Sequence, residues 1–297
     1  MGKVKLTIFT PVYNREKTLR RLYISLTQQT CKDFEWLVVN DGSADDSEQL
    51  IKQFIAEGND FPINYYHKEN GGKHRAINYG VERAKGELFF IVDSDDWLAV
   101  DAAETLLRYY HQIETNPQFA GVAGTKSNSK GKISGKTFQG DYLDATSLER
   151  VRYGIIGEKS EAFKTCVLKK YKFPEFDGEK FISEAVVWNK IAHDGFMLRW
   201  FNHPIYYWEY QSDGLTSNLR KLYYNNPQGY LMYVAQEMEF LKTPLLKRAM
   251  LLGRCKRTLR GTEYTGKKIM RALGLTWAEL MLSNMLFPLY SKVRRLK

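Results

Sequence analysis

Three carboxylates within four residues, Asp93, Asp95 and Asp96 around Ser94, stand directly after the apolar run Leu88-Phe89-Phe90-Ile91-Val92. A second apolar run, Trp36-Leu37-Val38-Val39, leads into Asn40-Asp41-Gly42-Ser43. Carboxylates packed this closely repel one another unless a cation lies among them, and hard oxygen ligands select Mg²⁺ or Mn²⁺ over zinc. Open α/β sheets hold their ligands at the carboxyl ends of buried strands, which is where both clusters fall. The chemistry implied is metal-assisted handling of a nucleoside diphosphate. Asp93 and Asp95, two apart in extended backbone, share one side of the chain and can reach one ligand. Asp96 is then a capping or supporting residue. A helix N-cap run explains one of these carboxylates and explains three much less well.

Two further segments carry chemistry. In Thr10-Pro11-Val12-Tyr13-Asn14-Arg15, Pro11 ends sheet pairing and Asn14 can cap a helix, so the segment reads as a strand-to-helix turn. That reading leaves Tyr13 unexplained. An aromatic at the carboxyl edge of a sheet can stack on a nucleobase, and Asp41 at the neighbouring strand end can accept from an imide N–H, which uracil and thymine have and cytosine lacks. Asn70-Gly71-Gly72-Lys73-His74-Arg75 joins a glycine turn to a helix start. Cations at a helix N-terminus are unfavourable unless an anion neutralises them, so Lys73 and Arg75 read as diphosphate contacts. The Walker spacing is absent, and nothing here points to ATP hydrolysis.

The elements that must position these residues alternate strand and helix over the first hundred residues, the mark of a parallel sheet built from βαβ units. Strand patterns cover Val4 to Thr10, Glu35 to Asn40, Ile63 to His67 and Glu87 to Val92. Between them lie a helix with Leu19, Leu22 and Leu26 on one face, a helix through Ile55 with Ser43 and Asp46 as a capping pair, and a helix carrying Ala76, Ile77, Val81 and Ala84. Asp101 and Glu104 cap another helix through about Glu114. The Lys-, Ser- and Gly-rich stretch from Lys126 to Gly140 reads as a mobile loop, either a solvated hairpin connection or a lid. A helix from Glu184 to His193 and strands at Met197 to Phe201 and Ile205 to Tyr210 complete this region. After Asp213 to Ser217 the chain becomes helical and basic.

A chain of 297 residues that is 43% hydrophobic can bury one large core, or one core and a smaller appendage. Its formal charge of +10 is unevenly spread: residues 218–297 hold 16 of the 44 Lys and Arg but 4 of the 34 Asp and Glu. A cationic tail on a near-neutral body points to a polyanion, either an anionic membrane surface or nucleic acid. Cys31, Cys166 and Cys255 lack any metal or disulfide spacing and suit a reducing compartment. The chain starts straight into a strand without a secretory h-region, and Leu6 stands where a myristoylation pattern needs Ser or Thr. The stretch from Leu275 to Tyr290 is broken by Glu279, Asn284 and Pro288, and it is suited to lie on a membrane rather than cross one.

The order and spacing of Thr10 to Asn14, Asn40 to Ser43, Asn70 to Gly80 and Asp93 to Asp96 resemble family 2 glycosyltransferases over roughly residues 4 to 215. The resemblance implies an α/β, Rossmann-like GT-A fold with a mostly parallel sheet flanked by helices. Residues 1–217 would then be the nucleotide-sugar domain and 218–297 a basic amphipathic helical segment for a membrane surface or acceptor. It implies a donor site of Pro11, Tyr13, Asp41, Lys73, Arg75, Asp93 and Asp95, in which Tyr13 and Asp41 hold the base, Asp93 the ribose, Lys73 or its neighbours the phosphates, and Asp95 the Mn²⁺ or Mg²⁺. The family's general base comes from a later helix, commonly as a Glu-Asp pair. Here Glu184 is followed by Ala185, so Glu184 stands alone, with Asp177 and Glu179 as substitutes and Trp188 as core or an acceptor platform.

The implied activity is inverting, hexosyltransferase-type transfer from a nucleotide-diphosphate sugar, UDP-linked by the Asp41 argument, to a saccharide or lipid-linked saccharide in bacterial surface polysaccharide synthesis. It implies a cytoplasmic protein, peripheral on the inner face of the cell membrane through leucines and cations from Leu245 to Arg271. Three alternatives compete. Nucleotidyl transfer to a sugar phosphate needs a glycine-rich basic loop after the first strand, where this chain has Pro-Val-Tyr-Asn. A nucleic-acid-binding protein would use the basic tail, yet no nucleic-acid module is legible. A nucleotide-sugar-binding pseudoenzyme would keep Asp93 and Asp95 without a base.

Overall fold

The computed structural model describes residues 4–209 and 219–293. The chain forms two compact units, residues 1–173 with 191–211, and residues 174–190 with 212–297. The linear boundary expected at 217/218, and the Asp213 to Ser217 segment before it, lie outside the described residues. Residues 174–190, read from sequence as part of the nucleotide-sugar domain, cluster instead with the later helices.

The first unit holds β1 (Leu6–Val12), α1 (Leu19–Thr27), β2 (Phe34–Asn40), α2 (Ser47–Ala56), β3 (Ile63–His67), α3 (Lys73–Arg83), β4 (Leu88–Ile91), β5 (Trp97–Leu98) and α4 (Ala102–His111). It continues through β6 (Phe119–Asn128), β7 (Tyr142–Ala145), β8 (Lys159–Lys164) and the short α5 (Thr165–Leu168). α6 (Ala185–His193) follows across the boundary between units, and β9 (Met197–Trp208) closes the first. The strands form one sheet ordered β3-β2-β1-β4-β8-β6-β9-β5, with β7 paired to β9. The fold is α/β as expected, and the first four strands are parallel, because each returns through a helix. Beyond β4 the sheet is mixed. β8 runs antiparallel to both β4 and β6, so two reversals restore the direction, and β6 and β9 point their carboxyl ends the same way as β1, β2 and β4.

Local chemistry explains the departures at element ends. β1 runs through Val12, because Pro11 interrupts the ladder on one side alone. Pairing with β4 stops at Phe9↔Ile91, whereas pairing with β2 continues to Val12↔Asn40. Since Phe9 O faces β4, Pro11 points the same way, beyond the last rung, and its missing N–H costs no ladder bond. Asn14 does not cap α1, whose N-cap is Thr18. It adopts φ 53°, and its side chain accepts from Ala44 N, while Ser43 Oγ accepts from Asn14 N. Ser43 is therefore spent on the β1 end rather than on α2, and Asp45 instead receives Ser47 N and Oγ at the start of that helix. The stretch after Lys126 continues β6 to Asn128 and then turns, with Asn128 Oδ1 accepting from Lys130 N and Lys132 N. This matches the hairpin-connection reading. The two late aromatic strands are one strand, β9, running through Trp208.

The core of this unit is apolar on both faces of the central strands; every residue of β2 is buried. α1 contributes Leu19, Leu22 and Leu26, all fully buried, as their spacing requires. α3 comes close on the other side, where a Cβ on Gly80 would sit 2.3 Å from the Phe9 ring. At the amino edge of the sheet, buried Glu35 accepts from Thr7 Oγ1 (2.6 Å), Lys85 N (2.6 Å) and Asn64 Nδ2 (2.8 Å), which satisfies a charge that would otherwise be prohibitive.

The second unit consists of residues 174–190 with α7 (Leu219–Asn225), α8 (Pro227–Phe240), α9 (Leu245–Thr258), α10 (Gly266–Ala272) and α11 (Trp277–Val293). Its core joins Tyr230 and Val234 of α8 to Leu252 and Cys255 of α9, Ile269 of α10 and Leu280 of α11. Leu251, Leu252 and Leu259, read from sequence as a lipid-facing stripe, are buried in this core; Leu245 and Leu246 remain exposed. Among the described residues, no helix is long and apolar enough to cross a membrane.

Because Glu35 lies at the edge opposite the carboxylate clusters, Glu35→Ala is expected to lower unfolding free energy by about 2–4 kcal/mol in urea titrations, leaving ligand binding by the folded fraction unchanged.

Candidate active site

β1, β2, β4, β6 and β9 bring their carboxyl ends to one edge, and the residues singled out in the first unit gather there. The acidic segment is not extended. Asp96 N donates to Asp93 O (3.1 Å), so Asp93 to Asp96 form a tight turn between β4 and β5. Three carboxylates spread over four positions of a strand would have been split between faces, whereas a turn lets them converge. α1 buttresses the turn from outside, as Thr18 Oγ1 donates to Ser94 O (3.0 Å) and Arg21 Nη2 donates to Asp95 O (2.6 Å). From across the sheet, the Tyr206 hydroxyl of β9 accepts from Asp93 N (3.0 Å) and donates to Asp96 Oδ2 (2.7 Å).

Cations surround the two outer carboxylates. Lys73 Nζ lies 2.5 Å from Asp93 Oδ1, and Arg15 Nη2 lies 3.8 Å from Asp95 Oδ2. Burial works against a charge on Asp93, but Lys73, Lys126 and Arg15 together overcome it and hold its carboxyl below the ordinary range. At Asp96, Lys126 and the Tyr206 hydroxyl pull the same way but do not prevail. Burial, reinforced by the charge of Asp93, pushes the Asp96 pKa up to about 7. The same burial, with both carboxylates beside it, raises Tyr206 well above the usual phenol value and keeps it a neutral donor. The turn thus presents Asp93 and Asp95 outward and the weakly acidic carboxyl of Asp96 inward.

Among the described residues, no group of three or more His, Cys, Asp or Glu side chains could hold a metal by itself. Magnesium-type ions are commonly held by one or two carboxylates and complete their shell with water and substrate phosphates. Asp95, with Asp93 two residues away, is a hard oxygen set of that size, so the residues fit a cation that arrives with a diphosphate.

Asp41 is buried and fully engaged. Its Oδ1 accepts from Lys68 Nζ (2.6 Å) and Gly71 N (3.0 Å), and its Oδ2 from Gly72 N (2.7 Å) and Asn70 Nδ2 (3.2 Å). Gly42 is required beside it, with φ 75° and a Cβ that would meet Asn70 N at 2.8 Å. Amides of the glycine turn are therefore directed at Asp41, which leaves the Lys73 side chain as the turn's reach toward an anion. Arg75 folds back, Nη1 donating to Gly71 O (2.8 Å). Tyr13 is 49% exposed immediately after β1, an open aromatic face at this edge, while Pro11 is half-buried beside it.

Glu184 belongs to the second unit, where its carbonyl accepts from Val187 N and Trp188 N in the first turn of α6. Trp188 is buried, in accord with a core role. Glu179, considered as a substitute base, is held in place as its two oxygens accept from Gln228 N (2.7 Å) and Gly229 N (2.9 Å) at the start of α8. Asp177 is exposed.

Sequence reasoning passed over Arg15, Lys68, Lys126 and Tyr206. Arg15 adjoins a segment already singled out, and a count of cations near the carboxylates would have found it. Lys126 was assigned to a loop on composition. Tyr206 lies 110 residues from Asp96, and no local pattern connects them.

The family described as Glycosyl transferase family 2 matches residues 7–159, which contain the donor-site residues from Pro11 to Asp96 but not Asp177, Glu179, Glu184, Trp188 or Tyr206. Glycosyltransferase GlyA of Streptococcus pneumoniae is 33% identical over 198 residues, 65% of this chain but 27% of its own length, so the likeness spans about a quarter of that relative. A Campylobacter jejuni protein named GalNAc(5)-diNAcBac-PP-undecaprenol beta-1,3-glucosyltransferase is 26% identical over 236 residues, covering 76% of this chain and 72% of that one. The crystal structure of Staphylococcus aureus TarS 1-349 in complex with UDP-GlcNAc superposes with a TM-score of 0.65 at 17% identity, covering 97% and 92% of the two chains. The fold is GT-A, and the chain belongs to glycosyltransferase family 2.

Proposed function

We propose that the protein transfers a sugar with inversion from a UDP-sugar to a saccharide or lipid-linked saccharide acceptor during bacterial surface polysaccharide synthesis. The observation that carries the proposal is the carboxylate turn framed by Lys73, Arg15 and Lys126, at the same sheet edge as the exposed ring of Tyr13. The UDP-GlcNAc complex of TarS and the undecaprenol-linked name of the Campylobacter relative support the donor and acceptor classes.

In this reading the base stacks on Tyr13 beside Pro11. Its imide N–H is received by Asp41, most simply in exchange for the Asn70 amide, the longest of that carboxylate's four contacts. Asp93 receives a ribose hydroxyl, and Lys73, released from Asp93, joins Arg15 on the diphosphate. Arg75 keeps the glycine turn closed. Asp95, with Asp93 close by, holds Mg²⁺ or Mn²⁺, which when bound offsets the charge of the leaving diphosphate. Glu184 takes the proton from the acceptor hydroxyl as that oxygen forms a bond to the anomeric carbon, on the face opposite the breaking bond to the diphosphate. The glycosidic electron pair leaves with the diphosphate, so no covalent enzyme intermediate is needed. The basic second unit suits a protein held at the inner face of the cell membrane, where lipid-linked acceptors lie.

Calorimetric titration of UDP, GDP, CDP and dTDP with and without Mn²⁺ is expected to show metal-dependent binding of UDP that is lost in Asp95→Ala; equal binding by that variant would refute the donor site. Glu184→Gln should cut turnover on the order of 10²- to 10⁴-fold while UDP binding persists, and near-normal turnover would remove Glu184 from the mechanism. Tyr206→Phe leaves Asp93 N and the Asp96 carboxyl without their shared partner. It is expected to lower stability by about 1–3 kcal/mol in thermal or urea unfolding and to weaken metal-dependent UDP binding along with it.

A further inference from the structure

Many apolar side chains of the second unit close its core, but besides Leu245 and Leu246 a row at regular helical spacing is left outside. Along α11, Trp277, Met281 and Met285 recur every fourth residue and are 57%, 68% and 59% exposed, and Ala278 beside them is exposed as well. The opposite side of the same helix is committed inward: Leu280 packs in the core, and buried Glu279 pairs with Arg248 Nε at 2.7 Å. An amphipathic helix normally turns its apolar side to the core and its polar side to water. α11 is apolar on both sides, so its outer row needs a partner.

The charges beside that row identify the partner's chemistry. Lys267 Nζ lies 5.4 Å from the Trp277 ring, Lys256 hydrogen-bonds Asn284, and Arg257 lies 5.4 Å over the Phe287 ring. Cations thus accompany the helix from its first turn to its third. Acidic residues do not offset them. Glu279 is internal, Glu263 pairs with Lys268 at 2.8 Å, and Glu237 lies 3.7 Å from Lys247. A second copy of the chain would bring the same excess of positive charge to such a contact, whereas an anionic bilayer offers both the apolar phase and the opposite charge. Trp at one end suits the headgroup level, and unbranched Met side chains adapt to a disordered acyl surface.

We infer that the outer face of α11, with Trp277, Met281 and Met285 as its apolar row and Lys256, Arg257 and Lys267 as its cationic border, is the surface that docks on anionic lipid. This rests on the membrane-surface part of the proposed function and specifies where it resides, in place of Leu251, Leu252 and Leu259, which the core has absorbed.

The test is co-sedimentation of the full chain with phosphatidylcholine vesicles, alone or containing phosphatidylglycerol, using wild type, Met281→Glu/Met285→Glu, and Ile24→Glu as a control at an exposed apolar site in the other unit. The expected result is binding to the phosphatidylglycerol vesicles alone, weakened about tenfold or more in the methionine double variant and unchanged in the control. Equal binding by the double variant would overturn the assignment to α11 while leaving a membrane role standing. Equal binding of wild type to both vesicle types would overturn the cationic border. No vesicle binding by wild type that still binds UDP would overturn the membrane reading and this surface together, leaving the transferase reading intact. Self-association that the double substitution abolishes, without vesicle binding, would give the face to a second copy and contradict the inference.

Discussion

Placing three carboxylates in one turn at the end of a buried strand creates a repulsion that the rest of the first unit is arranged to answer. The answer is divided. Lys73, Arg15 and Lys126 supply positive charge to Asp93 and Asp95, while Asp96 escapes by giving up most of its tendency to ionise. Tyr206 links the two solutions, since one hydroxyl accepts from the backbone of Asp93 and donates to the side chain of Asp96. These groups come from the segment after β1, from α3, β6 and β9, so the turn can be neutralised only if distant parts of the sheet are assembled. A diphosphate and a divalent cation would replace internal ion pairs by stronger ones, which gives this edge a physical reason to bind both together.

Asp41 plays a parallel part on the neighbouring strand. One buried carboxylate receives two turn amides, an Asn amide and a Lys ammonium, and so sets the position of the segment that begins α3. Lys73 follows directly. The geometry of β2 is thereby coupled to the cation that faces Asp93, and a change at either strand end is felt at the other.

The parallel half of the fold was legible in the sequence because its signals are local: apolar runs of strand length, leucines at helical spacing, and glycine turns between them. The site residues on β1, β2, α3 and the β4 turn were legible for the same reason. The antiparallel insertion of β8, the single long β9 and the grouping of residues 174–190 with the C-terminal helices were not, since each depends on pairing between distant segments that no window of sequence contains. Two misreadings share a cause. Asn14 and Ser43 were each assigned to cap the helix that follows them, yet they bond to each other's loops across 29 and 30 residues. The leucines of α9 looked lipid-facing because basic residues interleave them, but periodicity reports that a face is apolar and does not say what covers it. In this chain the core covers Leu251, Leu252 and Leu259 and leaves Trp277, Met281 and Met285 of α11 outside.

The central claim, that the Asp93 to Asp96 turn is a metal and diphosphate site, is tested most directly by a crystal structure grown with UDP and Mn²⁺ and examined for anomalous scattering from manganese. The account predicts a manganese peak beside Asp95, the diphosphate between it and Lys73, and the uracil ring against Tyr13. Nucleotide density at another edge of the sheet, or at this edge with no manganese near Asp95, would contradict it.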